Sequence, residues 1–158
     1  MVTMAENSSR WIGSIGYEKA SFADFRRTLL DAGVAAVIDV RDLPLSRRAG
    51  FSKRQLAAGL EETGIRYLHL KALGTPKEGR VAAQQRDYVR FWEIVAEKLA
   101  TPKAEEQLKE AAEIARQVRS VLLCYEADHR HCHRLRVCEA LERRFGFAPS
   151  HLHVEELW

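Results

Sequence analysis

Two uninterrupted apolar runs constrain the fold of this chain more than any other feature of its sequence. The runs "VAAVIDVR" at 34–41 and "SVLLCYE" at 120–126 lack the polar alternation of a strand with one solvent-exposed face. Such runs are typical of parallel strands that are covered by helices on both faces. Because parallel strands need long crossover connections, the two runs predict a sheet whose strands are separated by helices.

The rest of the chain fits this alternation. "WIGSIGY" at 11–17, "IRYLHL" at 65–70 and "SHLHV" near the end predict further strands. The predicted helices follow Ser21 and Ser52 and then cover 81–99, 103–118 and 132–145. We therefore expect a single-domain, three-layer α/β/α fold with a mainly parallel sheet over 11–158, and a disordered tail at 1–10.

Several of these helices carry end signals. The pairs Ser21/Asp24 and Ser52/Gln55 have the spacing of capping boxes, and Thr101 followed by Pro102 predicts another helix start. Glycines are expected just past three helix ends, at Gly33, Gly64 and Gly146.

Composition narrows the classes of protein that this chain can be. No apolar run approaches the roughly 18 residues that a membrane span needs. The start lacks a secretory leader, and three cysteines, an odd number, indicate reduced thiols, so we expect a cytoplasmic protein without membrane contact. The net charge of +3 is modest, but positive charge is concentrated in segments 41–54 and 129–136. This distribution indicates an anionic partner that binds at these two segments. The sequence leaves the oligomeric state open.

The carboxyl ends of the predicted strands carry polar side chains. Asp39 and Arg41 end one strand, His69 ends another, and Glu126 follows a third. Ligands of open α/β sheets bind at this edge. We therefore expect a cleft in which Asp39, His69 and Glu126 are candidate acids or bases and Arg41 binds an anion.

The stretch "HRHCHRLRVC" at 129–138 admits three interpretations. It offers nitrogen and sulfur ligands for a metal, but it has no C-x-x-C pair, so no metal or other cofactor is predicted. It can instead place a reactive Cys132 at the start of a helix, where backbone N–H groups and Arg134 favour an anion. The third interpretation is a basic surface in which Cys132 does not react. Cys124 and Cys138 fall on apolar faces and are expected in the core.

The thiol interpretation has a partial precedent. A cysteine between a strand and a helix resembles the cysteine phosphatases and rhodaneses. The phosphatase pattern H-C-x5-R is incomplete here, because Cys138 stands where that pattern has its arginine.

A second informative run is "DVRDLPLSRRAGFSK" at 39–53. Arg47 and Arg48 lie in a loop that leaves the same sheet edge as the cysteine segment. Ser52 and Lys53 stand at a predicted helix start, where they add hydroxyl and ammonium donors. This loop is expected to bind phosphate.

These motifs together resemble the family called domain of unknown function 488. The resemblance rests on the D-V-R-x-x-P-x-S-R block at 39–47, the G-F-S-K at 50–53, and the C-x-E and C-H-R at 124–126 and 132–134. It covers about 12–154 and implies an α/β fold. It also adds His133, beside Arg134, to the expected anion-binding residues, and it implies no activity.

The sequence therefore predicts a phosphate-bearing ligand, a nucleotide or a nucleic-acid backbone, in a basic cleft at the strand carboxyl ends. Hydrolase or transferase chemistry is compatible with the same residues. The alternatives are an enzyme with Cys132 as nucleophile, and a non-catalytic module that binds a partner.

Overall fold

The computed structural model describes residues 10–156. The predicted tail at 1–10 lies outside the described residues except for Arg10.

Five parallel strands form one sheet. In chain order they are β1 (Trp11–Gly16), β2 (Ala36–Asp39), β3 (Arg66–His69), β4 (Ser120–Cys124) and β5 (Ala148–His151). Their spatial order is β3-β2-β4-β1-β5, and every neighbouring pair is parallel. The predicted α/β fold with a mainly parallel sheet is confirmed.

The described part of the chain contains six α-helices. They are α1 (Phe22–Asp31), α2 (Lys53–Glu61), α3 (Lys77–Gln84), α4 (Tyr88–Leu99), α5 (Pro102–Gln117) and α6 (Arg134–Phe145). None of those helices, all within 10–156, combines the length and the apolar character that crossing a bilayer needs.

The apolar strands are buried because helices pack on both faces of the sheet. Val121 and Leu123 of β4 join a core cluster with α1 and α2, whereas Leu122 joins a cluster with α5 and α6. This alternation within one buried strand makes the three layers. Asp39 pairs in register with Leu123, so Asp39 and Glu126 lie at the same edge of the sheet, as the sequence predicts.

Most of the predicted helix ends are confirmed. Ser21 Oγ accepts a hydrogen bond from the backbone of Asp24, and Thr101 caps α5 with Pro102 in its first turn. Gly33, Gly64 and Gly146 all have a positive φ, which a side chain would oppose.

Three details of the prediction are wrong. The continuous helix over 81–99 is divided into α3 and α4, because Arg86 takes a φ of 59° and Asp87 caps the new helix. Ser52 is the N-cap residue of α2, as predicted, but its side chain makes no capping bond, because its hydroxyl is bonded to the backbone of Ser46 instead. The last long helix begins at Arg134 and not at 132, because His129–His131 form a separate 3₁₀ turn.

Candidate functional site

A cleft of about 1090 Å³ opens at the carboxyl edge of the sheet. Its floor is formed where β1, β2 and β4 end, at Tyr17, Arg41 and Glu126. One wall is the loop that follows β2, and the other is built from α3 and the start of α4. This is the edge at which the sequence predicts a ligand.

The loop wall supplies the exposed positive charge. Arg47 and Arg48 both line the cleft, and neither forms an ion pair with any described residue. Arg48 donates one hydrogen bond to the carbonyl of Ala20, which holds that side chain against the protein. Arg80, on the opposite wall, is already paired with Asp42 at 2.8 Å. The guanidinium groups left for an anion are therefore those of Arg47 and Arg48.

Aromatic rings lie beside this charge. Tyr17 is buried and stacks on Phe51, with ring centroids 4.5 Å apart, and its edge meets Tyr125 at 5.4 Å. Tyr125 and Tyr88 both line the cleft and remain about half exposed, at 47% and 41%. The cleft thus offers planar apolar surface next to guanidinium groups.

Asp39 and Arg41 form a buried ion pair beneath this edge. Arg41 Nε donates to Asp39 Oδ1 at 2.9 Å and Nη2 donates to Oδ2 at 2.7 Å, while Nη1 bonds the carbonyl of Phe51. The Tyr67 hydroxyl also donates to Asp39. Burial alone lowers the pKa of Arg41, but the bonds and charge of Asp39 outweigh burial and raise it.

Those bonds decide the role of both residues. Asp39 has no exposed surface and both of its oxygens accept hydrogen bonds, so it holds Arg41 in place beneath the cleft. Arg41 reaches the cleft floor, and four of its five guanidinium N–H groups already donate to Asp39, Tyr17 and Phe51. Its contribution to an anion site is a fixed positive charge.

Six of the predicted site residues do not line the cleft: Asp39, His69, Cys132, Ser52, Lys53 and Arg134. His69 bonds the carbonyl of Arg41 at 2.7 Å and approaches Lys53 at 3.4 Å, on the far side of β2. Ser52 holds the loop through its two bonds to Ser46. The expected roles of His69 as an acid or base, and of Ser52 and Lys53 as phosphate ligands, therefore do not fit their positions.

Arg134 also differs from its expected role. It has no exposed surface, and its guanidinium donates to Ser14 Oγ at 2.8 Å and to the carbonyls of Glu126 and Ala127 at 2.6 and 3.4 Å. It connects the start of α6 to β1 and fixes the backbone after β4. It is a structural residue that does not reach the cleft.

The cysteine segment folds differently from its prediction. Cys132 lies in extended backbone two residues before α6, is 1% exposed and does not line the cleft. Cys124 is buried in the core, as predicted, and it also lines the cleft together with His133 and Glu126. His133 Nδ1 lies 3.7 Å from the sulfurs of both Cys124 and Cys132.

Burial and mutual contact shift the pKa values of this group. The hydrogen bond with Cys132, followed by burial, raises the pKa of Cys124. Burial opposes ionisation of Cys132, but its bond to Cys124 and the charge of His133 outweigh burial and lower its pKa. Burial, together with the charge of Cys132, raises the pKa of Glu126 to about 7. Glu126 is therefore the cleft residue best suited to proton transfer near neutral pH.

Glu126→Gln is expected to stabilise the protein at alkaline pH and not at acidic pH. The folded pKa of about 7 lies above the ordinary value of 4.5, so the folded state retains a proton that the unfolded chain has released. Stability is therefore lost as pH rises from the ordinary value to the folded one. Glutamine removes that cost, which we place at roughly 1–3 kcal/mol.

Urea unfolding near the two ends of this pH range measures the effect. Glu139→Gln, at a half-exposed position paired with Arg136, is the control. An equal gain for Glu126→Gln in acid and in alkali would mean that the burial of Glu126 does not affect its ionisation.

Several cleft residues were not predicted from the sequence, and three of them come from the opposite wall. Thr75, Arg80 and Tyr88 enter the cleft because α3 and α4 fold over the edge of the sheet. The sequence indicates only a turn at "GTPKEG", and no pattern there points toward the cleft. The Thr75 hydroxyl is the most informative of these groups, because Thr75 is 6% exposed and its Oγ1 has no hydrogen-bond partner among the described residues.

The comparisons with known proteins give one match. The family model for the domain of unknown function DUF488 matches residues 21–141, which span α1, the loop wall, the cysteine segment and most of α6. No curated protein and no solved structure matches the chain significantly.

Proposed function

Because the chain belongs to the DUF488 family, whose description names no activity, we propose a function from the cleft itself. The proposed function is the binding of a phosphate-bearing ligand of nucleotide size. Its phosphate lies between the loop wall and α3, and its ring lies on the exposed tyrosines. The three free cysteines fit a reducing compartment, so the proposal places the protein in the cytoplasm.

The observation that carries this proposal is a set of donors without partners facing the cleft. Arg47 forms no ion pair with a described residue, and Thr75 Oγ1 is buried and unbonded. Thr75 directly precedes Pro76, the N-cap residue of α3, and Pro76 makes no side-chain cap bond. A helix start with free N–H groups favours a phosphate. Leaving a buried hydroxyl unpaired costs about 1–3 kcal/mol, a cost that a bound anion would relieve.

The size and surface of the cleft support a nucleotide over a bare ion. Its volume of about 1090 Å³ slightly exceeds the roughly 300–1,000 Å³ of most ligand pockets. Tyr88 and Tyr125 provide exposed rings on which a base can stack.

The same cleft supports chemistry on the bound ligand. Glu126 lines the cleft and has a pKa of about 7, so it can both accept and donate a proton near neutral pH. We therefore favour hydrolysis or group transfer over passive binding. Cys132 as nucleophile is the weaker candidate, because its sulfur is buried away from the cleft surface.

Thr75→Val is the sharpest test of this site. Valine has nearly the shape of threonine but no hydroxyl, so the fold is expected to be unchanged or slightly more stable. Binding of adenosine diphosphate, measured by calorimetry, is expected to weaken roughly tenfold, as one lost hydrogen bond to a charged group implies. Unchanged affinity in a folded Thr75→Val would exclude this hydroxyl as a phosphate ligand.

Arg47→Ala provides the electrostatic test. Affinity for adenosine diphosphate is expected to fall as salt rises, and to fall about tenfold or more when Arg47 is removed. With a short single-stranded oligonucleotide as probe, the log–log salt slope should decrease by roughly 0.7. Arg116→Ala, on α5 and outside the cleft, is the control. Equal affinities for Arg47→Ala, Arg116→Ala and the unaltered protein would mean that the loop wall is ordinary solvated surface.

A further inference from the structure

Three metal-ligating side chains converge at the floor of the cleft. They are Cys124 at the end of β4, Cys132 in the segment before α6, and His133 at the N-cap of that helix. One ligand atom from each lies within 4.8 Å of the other two. All three residues are buried. The sequence predicts no metal site because it has no C-x-x-C pair. The fold, however, brings together two cysteines that are eight positions apart.

The distances from the histidine nitrogen to the two sulfurs fit the ligands of a tetrahedral ion. Zinc binds sulfur at about 2.3 Å and nitrogen at about 2.0–2.1 Å, so tetrahedral angles place these two ligand types about 3.6 Å apart. His133 Nδ1 lies 3.7 Å from the sulfur of Cys124 and 3.7 Å from that of Cys132. The two sulfurs lie within 4.8 Å of each other, against about 3.8 Å in a tetrahedral zinc site, so an ion would draw the sulfurs together by up to about 1 Å.

The imidazole is already oriented as a ligand. His133 Nε2 lies 2.8 Å from the carbonyl oxygen of Val40, which can only accept, so Nε2 carries a proton. Nδ1, the other ring nitrogen, faces both sulfurs and can offer its lone pair. A ring N–H bonded to a backbone carbonyl is the usual support of a metal-binding histidine.

The fourth side of the site is open to the cleft. Cys124 and His133 line the cleft whereas Cys132 does not, so an ion held by the three has its free side toward the cleft. Glu126 also lines the cleft, and its Oε2 lies 3.6 Å from the sulfur of Cys124. A water on the ion would thus lie beside a carboxylate that can accept its proton.

We propose that Cys124, Cys132 and His133 bind one thiophilic divalent ion, and that Zn²⁺ is the preferred ion. The fourth ligand position of this ion is exchangeable and faces the cleft beside Glu126. The proposal stands independently of nucleotide binding, because it rests on these four residues alone.

The chemistry of the cluster also fits a bound cation. Two thiolates placed close together beside the carboxylate of Glu126 would repel one another, and a divalent ion offsets that repulsion. Its uptake would displace the proton of Cys124, so metal affinity should fall as pH is lowered.

Cobalt titration of the reduced, chelator-treated full-length protein tests the site. We expect uptake of one Co²⁺ per chain, with thiolate-to-cobalt absorption in the near ultraviolet, the strong visible bands of a tetrahedral ion, and displacement of both by Zn²⁺. Cys132→Ser should weaken uptake by more than the roughly 10–100-fold that losing a supporting residue costs. Cys138→Ser is the matched control, since Cys138 is equally buried at 1% exposure but lies outside the cluster.

The unaltered protein keeps the test decisive even if a cysteine variant fails to fold. No cobalt–thiolate absorption from protein whose three thiols are all reduced would overturn the proposal. Equal loss of uptake in Cys138→Ser would overturn it as well, because the effect would then come from general packing. A Cys124–Cys132 disulfide in protein purified without reductant, with no metal uptake after reduction, would make the two cysteines a redox pair instead. None of these results depends on whether a nucleotide binds.

Discussion

Replacing Asp39 with asparagine is expected to lower the free energy of unfolding by about 3–5 kcal/mol, because it leaves a buried guanidinium without its counter-charge. Asp39 is completely buried, and both of its oxygens accept from Arg41, which is itself 5% exposed. Asparagine has a similar shape but offers one acceptor oxygen and an NH₂ group that faces donors. Urea unfolding at neutral pH measures the loss.

Asp42→Asn is the matched control for this variant. Asp42 pairs with Arg80 at 2.8 Å, but the two side chains are 19% and 36% exposed. A partly exposed pair of this kind contributes about 0–1 kcal/mol. Equal losses at Asp39 and Asp42 would contradict the assignment of Asp39 as the structural anchor of Arg41. If Asp39 were instead an acid or base for a reaction, its asparagine variant would lose activity with little loss of stability.

Arg134→Met is expected to cost about 3 kcal/mol or more of stability. Methionine keeps much of the volume but donates no hydrogen bond, so Ser14 Oγ and two carbonyls lose the donors that they now have. Each buried polar group left unpaired costs about 1–3 kcal/mol. The same change frees the backbone at 126–127, so the position of Glu126 is expected to become less defined.

An exposed residue on the same helix provides the comparison. Arg143→Met, on α6, should change the free energy of unfolding by no more than about 0.5 kcal/mol. A stable Arg134→Met that binds adenosine diphosphate weakly would reverse the assignment, because Arg134 would then act on the ligand and not on the fold.

The architecture was predictable from the sequence because the residue types of each segment reflect the burial and backbone conformation of that segment. The run at 34–41 is almost continuously apolar, which is typical of a strand covered on both faces. Thr101 with Pro102 identifies a helix start from two neighbouring residues. The break at Arg86 was not predictable in this way. No glycine or proline stands there, and the left-handed backbone is fixed by how α3 and α4 pack on each other.

The edge of the sheet was predictable, whereas the roles of the residues along it were not. Arg41 and Arg134 look alike in sequence to Arg47, but burial gives the first two internal partners and leaves the third exposed. Cys132 is next to a helix in sequence, yet the 3₁₀ turn at His129–His131 directs its backbone inward toward Cys124. Contacts between segments that are distant in sequence determine which hydrogen-bond donors remain free. No local sequence pattern predicts those contacts.

The location of a bound nucleotide tests the central claim most directly. Adenosine diphosphate added to ¹⁵N-labelled protein should shift, in a saturable way, the backbone resonances of Arg47, Thr75 and Tyr125 at the carboxyl edge of the sheet. Those of Trp11 and Ser120, where β1 and β4 begin, should not move. Saturable shifts confined to the carboxyl edge are the result that the cleft predicts. No saturable shift at this edge, or shifts only where the strands begin, would contradict a nucleotide site there.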